Sequence, residues 1–144
     1  CLTPMYKIRN YKAFAKRHGY VSSPLGRMRH LPLINSDKNE IRSQSERQSI
    51  NSPVQGCLSD MLIWAIALSH QRGWFEESPC FGAIHDAKYT YIPEDNYEHY
   101  IERELEVMEN LPFDTLGWKP QLKFTADAKV GPNMADLKEY SRKT

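Results

Sequence analysis

Residues 80–91 read "CFGAIHDAKYTY". An apolar run, Cys80 to Ile84, meets a polar and aromatic one, Ala87 to Ile92, across the dipeptide His85-Asp86. Both runs are short and suited to strands, so the stretch predicts a β-hairpin with His85-Asp86 at its tip. Two readings of Asp86 stand. Turn aspartates usually serve the backbone. A carboxylate on a rigid tip also suits Mg²⁺, which takes one or two protein carboxylates alongside substrate phosphates.

Around this hairpin the chain alternates helix and strand signals. Residues 5–18 place Met5, Ile8, Tyr11 or Lys12, and Ala15 on one helical face, and Gly19 stops it. Tyr20-Val21 and Arg27 to Leu31 predict a second hairpin, with Ser23-Pro24-Leu25-Gly26 as a type I turn. Residues 36–51 predict a polar helix capped by Ser36 or Asp37. Pro53 is expected to kink or restart it, with Ser52 as the new cap. From Val54 to His70 the helix turns apolar on nearly all sides, which predicts burial, and Gly73 ends it.

Beyond the central hairpin, Pro93 and "EDN" open a further helix. It turns Tyr97, Tyr100, Ile101, Leu105, Met108 and Leu111 inward, and Glu98, Glu102, Glu106 and Glu109 outward. Pro112 stops it. Residues 121–130, "QLKFTADAKV", alternate as a half-buried strand, and "NMADLKEY" predicts a short terminal helix. The sum is an α+β architecture, a small antiparallel sheet with helices on one face.

Composition narrows the class. The 144 residues, 40% hydrophobic and 26% charged, fit one ordinary globular domain and argue against a disordered chain. The longest apolar run, "MLIWAIAL" at 61–68, falls well short of the ~20 residues that span a bilayer. No leader-like apolar segment opens the sequence. Cys1, Cys57 and Cys80 are odd in number and lack metal-ligand spacing, which predicts reduced thiols and a cytoplasmic location. Cys1 as first residue fits methionine removal, proteolysis, an expression boundary, a split gene or a protein-splicing junction.

The net charge of +1 hides an asymmetry. Residues 1–50 carry ten Lys/Arg against three Asp/Glu, while residues 74–110 carry two against ten. The basic third reads either as a polyanion footprint or as ordinary solvated charge. In "ERQSINSPVQG", Arg47, Asn51 and Gln55 recur every four residues and share a helical face of roughly 80°. That row is either a solvated face or a set of donors and acceptors for the minor groove, where every base pair offers acceptors. Arg27 and Arg29 alternate onto one strand face, either as phosphate contacts or as surface charge.

The order "GYV…LGRMRHLP", "ERQSINSPVQG…D", "IHDA", "VGPNM" resembles the C-terminal part of family A DNA polymerases, which include bacterial DNA polymerase I and phage replicative enzymes. The resemblance runs from about Pro4 to Tyr140. It implies that residues 1–144 are one incomplete domain, the end of the fingers region plus the palm of a right-hand polymerase fold. It implies that Asp86 is one of two aspartates holding the catalytic metals, two Mg²⁺ ions, and that His85 contacts the primer end. Arg47, Asn51 and Gln55 match positions that touch primer–template DNA, and Arg27 and Arg29 positions suited to template backbone. Asn133, in the closing "GPNM", takes a structural role.

Two residues depart from the family pattern. Ala87 stands where most members have glutamate, and Met134 where they have tryptophan. The family's other catalytic aspartate and its nucleotide-binding fingers helix are absent from this sequence. The resemblance therefore implies a chain inactive alone, whose N-terminal companion supplies the rest of the palm, the fingers and the thumb. Its substrates would be deoxynucleoside triphosphates, its setting the cytoplasm, and a host cell's if phage-encoded. A non-enzymatic DNA-binding remnant is the alternative. A phosphohydrolase built on His85-Asp86 lacks recognisable ligand spacing among His18, His30, His70 and His99.

Overall fold

The computed structural model describes residues 4–142, with side chains described from Asn10 onward. Cys1, and the side chains of Met5 and Ile8, lie outside the described residues. The elements in order are α1 (Pro4–His18), β1 (Tyr20–Ser22), β2 (Met28–His30), α2 (Asn39–Gln71), a 3₁₀ turn (Trp74–Glu76), β3 (Cys80–Ile84), β4 (Ala87–Thr90), α3 (Tyr97–Glu109), β5 (Lys129–Val130) and β6 (Lys138–Glu139). The α+β class is as expected. Among the described residues the strands form three separate antiparallel pairs, β1–β2, β3–β4 and β5–β6, rather than the one small sheet expected. Two compact units result, residues 1–60 and residues 61–144.

In the first unit, α1 stops at Gly19, whose φ of +75° costs a residue without Cβ little. The Gly19 carbonyl then accepts the Leu31 N–H at 2.7 Å, tying the helix end to the hairpin. The hairpin turn closes through Gly26 N–H to Ser23 O at 3.0 Å. Ala15, Val21, Leu31 and Ile34 form the core, with Tyr11 against it.

Helix α2 differs from expectation in two ways. It runs without interruption through Pro53. Its buried residues, Leu62 apart, recur every four positions on both sides of the proline: Ser45, Ser49, Pro53, Cys57, Met61, Ala65 and Ser69. Continuous packing along that stripe offsets the one backbone hydrogen bond that proline removes. The buried hydroxyls find carbonyls of the helix itself, Ser49 to Glu46 O at 2.7 Å and Ser69 to Ala65 O at 3.0 Å. Burial is also one-sided. Val54, Leu58, Ile63 and Trp64 are exposed, while Leu62 is buried beside the stripe. At the start, the Ser36 hydroxyl accepts the Lys38 N–H at 3.3 Å, and Lys38 O takes the first helical bond, from Arg42 N–H.

In the second unit, α3 buries Ile101, Leu105, Val107 and Glu109. Glu109 was expected to face outward. Its carboxylate instead accepts the Ala126 N–H at 2.9 Å and pairs with Arg142 at 3.0 Å. Burial raises its pKa, but the Ala126 N–H and Arg142 outweigh this and hold it below the ordinary carboxylate value.

This anchor also explains the tail. The segment expected as a strand over 121–130, with Leu122, Phe124, Ala126, Ala128 and Val130 inward, keeps that alternation from Phe124 to Val130, but Leu122 is 80% exposed and only Lys129–Val130 joins a ladder. A side chain, not a neighbouring strand, takes the Ala126 N–H. The expected terminal helix is absent. Asn133 Oδ1 accepts the N–H groups of Ala135 and Asp136 at 2.9 and 3.1 Å, a competing local turn that leads into β6. Gly131 lies so close to the Asp136 carbonyl that a Cβ there would sit 2.3 Å from its oxygen.

Candidate functional site

The β3–β4 register pairs Ile84 with Ala87 and leaves His85 and Asp86 as a two-residue loop, as the sequence predicts. Of the two, only His85 has positive φ, +57°. An L residue there is strained by about 1 kcal/mol. Both side chains are exposed to solvent.

Below the tip the hairpin is tied down at Lys88, whose side chain is 3% exposed. Its ammonium donates to Ser69 Oγ at 2.9 Å and to Glu104 Oε2 at 2.5 Å, and lies 5.5 Å from the Phe75 ring centre. The strand carrying the loop is thus fixed to both α2 and α3. Residues of the other alternation form an aromatic face. Phe81 stacks on Tyr91 at 4.2 Å and approaches Tyr89 at 6.0 Å. A β-bulge at Phe81, between Cys80 and Gly82, shifts the register there.

The approach to β3 is fixed by Arg103. Its guanidinium sits between the Trp74 and Tyr100 rings, 4.7 and 4.5 Å from their centres. It donates to Glu77 at 3.1 Å and to the Ser78 hydroxyl. Sequence reading missed both Lys88 and Arg103. A lysine at an inward strand position was the available sign for Lys88.

Asp86 fits one magnesium ligand: an exposed carboxylate on a short, anchored loop. No group of three His, Cys, Asp or Glu residues among the described residues is arranged to hold a metal ion. Asp86 is a single carboxylate, so a cation held there would need donors beyond the described residues.

The first unit holds the remaining candidates. Arg47, Asn51 and Gln55 are all exposed, two residues on from Ser45, Ser49 and Pro53 of the buried stripe. Two residues are about 200° of helix, so the polar row lies on the side opposite the core. Arg47 Nη1 donates to its neighbour Ser43 Oγ at 3.4 Å.

Arg29, in β2, is exposed. Arg27 precedes that strand and is engaged otherwise. Its Nε and Nη2 both donate to Asp60 Oδ1, the former at 2.9 Å, and Asp60 raises its pKa further. The arginine crosses α2 at Gly56, where a Cβ would stand 3.2 Å from Arg27 Cδ. Gly56 therefore makes room for the Arg27–Asp60 pair, which the sequence reading did not find. Burial, with Asp60 adding to it, pushes the nearby Cys57 thiol up, away from its reactive form.

The model of DNA polymerase family A matches residues 6–136. The chain is 27% identical over 124 residues to a thermostable DNA polymerase I of Thermus thermophilus, covering 86% of this chain and 14% of that protein. It is 30% identical over 141 residues to the DNA polymerase of Bacillus phage SP01, covering 92% and 15%. Among solved structures, the POL domain of Pol1 from M. smegmatis in complex with DNA primer-template and dNTP superposes with a TM-score of 0.63 at 26% identity, over 72% of this chain and 18% of that one. The chain spans about one seventh of the length of the first two relatives. A match across residues 6–136 places the chain in DNA polymerase family A.

Proposed function

We propose that this chain is the C-terminal palm portion of a DNA-directed DNA polymerase, an α+β piece of one incomplete domain that extends a primer 3′ end when joined to a companion. The observation that carries the reading is the His85-Asp86 loop, an exposed carboxylate on a hairpin fixed beneath by Lys88. The solved relative was captured with primer-template DNA and dNTP, the ligand classes proposed here.

Asp86 would hold magnesium, and the complete site would bind two such ions. Magnesium, when bound, supplies activation of the primer 3′ hydroxyl and stabilisation of the leaving pyrophosphate. The chain's own residues position the reactants. His85 offers its imidazole to the primer terminus beside Asp86. Arg47, Asn51 and Gln55 present donors to groove acceptors common to all base pairs, which checks duplex geometry without reading sequence. Arg29 suits a template phosphate, and Arg27 retains that role only by sharing its guanidinium with Asp60. A single aspartate does not complete a two-metal site, so a companion chain must supply the second carboxylate and the nucleotide-binding fingers. Alone, the chain should not extend primers.

Co-expression with its upstream coding neighbour, followed by primer extension with Mg²⁺, tests the reading. Extension by the pair and none by either chain alone is expected. Salt-sensitive DNA binding without synthesis in the pair would favour the remnant.

A further inference from the structure

In the first unit the end of α1 and the β1–β2 hairpin bring four rings into a row. Phe14 lies against His18 at 4.3 Å and meets Tyr20 edge-on at 5.4 Å. Tyr20 is 6.2 Å from His18 and 6.1 Å from His30. The row is at the surface: Phe14 is 41% exposed, and His18 and His30 are exposed. Beside it runs a groove of about 700 Å³ lined by Asn10, Tyr11, Phe14, Arg17, His18 and Ser22.

The charges around the groove are sorted. Lys12 and Lys16 are both committed to Glu46, at 3.4 and 2.7 Å, and the Lys16 ammonium holds that carboxylate below its ordinary pKa. Arg17 is exposed and lines the groove without a carboxylate among its lining residues. Residues 1–50 as a whole carry ten basic against three acidic side chains. The patch therefore joins open ring surface, a cation and two short polar side chains in a basic setting.

We propose that this groove binds a single-stranded nucleic-acid segment, with bases stacked on Phe14 and His18 and a phosphate on Arg17. Ring surface beside an arginine suits unpaired bases, because each exposes a π face that a duplex keeps stacked inside. A duplex meets a protein through phosphates and base edges, for which Phe14 offers nothing. An acidic peptide would use the charge but not the row of rings. The inference does not rest on the polymerase reading.

The test uses the full 144-residue chain and a labelled oligothymidylate of about 12 nucleotides, followed by fluorescence anisotropy over a range of salt. The assay contains no magnesium, dNTP or companion chain, so its outcome is independent of primer extension. Phe14→Ala should weaken binding about tenfold, and Phe14→Tyr should keep it within about twofold. Arg17→Ala should lower the logarithmic salt slope by about 0.7. A blunt duplex of equal length should compete at least about tenfold less well than the single strand. If Phe14→Ala does not fold by circular dichroism, Phe14→Leu, which keeps apolar volume and removes the π face, should show the same loss. Wild-type affinity in a folded Phe14→Ala or Phe14→Leu chain, or equal competition by the duplex, would overturn the assignment.

Discussion

Lys88 lies two residues past Asp86, and its ammonium is closed in against the Glu104 carboxylate of α3. A buried ion pair holds its geometry because either charge alone is costly in the interior. Glu104 Oε1 is buried without a hydrogen-bond partner, so this carboxylate depends heavily on Lys88 and Ser69 at its other oxygen. Lys88→Met should therefore lose about 3–5 kcal/mol of stability. Combining it with Glu104→Leu should restore most of that loss. Urea denaturation of the two variants checks this, and a double variant no better than the single would refute the coupling.

His85 occupies a left-handed backbone position that glycine would take without strain. His85→Gly should leave stability unchanged or raise it by about 1 kcal/mol. Primer extension by the assembled enzyme should nevertheless fall, because the imidazole beside Asp86 is gone. Thermal unfolding and extension measured on the same preparation separate the two roles. A variant both less stable and fully active would contradict the assignment.

The hairpins were legible because both rest on local chemistry: an apolar run, a polar tip and turn residues at fixed places. Residues 20–31 and 80–91 form the two hairpins as read, although Arg27 falls outside β2, so it does not share a strand face with Arg29, and the register shifts at Phe81. The features that were not legible depend on distant partners. Nothing local reveals that Glu109 turns inward, since its reason is the Ala126 N–H seventeen residues on and Arg142 beyond it. The strand expected over residues 121–130 failed for the complementary reason: its alternation is real, but a side chain takes a bond that a neighbouring strand would have taken. Pro53 was misread because local propensity was weighed without the buried stripe that carries α2 across it. The Asp86 position was legible in sequence, while its Lys88 support required packing to see.

Glu109 makes the second unit acid-sensitive. Its folded pKa is lowered, so its contribution is fully present above the unfolded-state value of about 4.3 and is lost as pH falls through the lower folded value. Glu109→Gln should cost about 1–2 kcal/mol at neutral pH, since Arg142 is partly exposed, and should flatten the acid limb of the stability curve. Denaturant midpoints from pH 3 to 7 would show it. An unchanged acid limb would rule out Glu109 as its source.

Arg29 and Arg27 should behave differently on DNA. Arg29→Ala should weaken duplex binding at all sequences and lower the logarithmic salt slope by about 0.9, the loss of one phosphate contact. Arg27→Ala removes the Asp60 partner as well, so its effect should include loss of thermal stability. Arg29→Ala should leave the melting temperature unchanged. Equal salt slopes for wild type and Arg29→Ala would remove Arg29 from the DNA interface.

The central claim is that Asp86 is a metal-holding carboxylate of a polymerase. The most direct measurement is Mg²⁺-dependent primer extension by the chain assembled with its companion, comparing wild type with Asp86→Ala. Both proteins should bind primer–template DNA with similar affinity. Extension should be abolished in Asp86→Ala alone. Substantial extension by that variant would contradict the account.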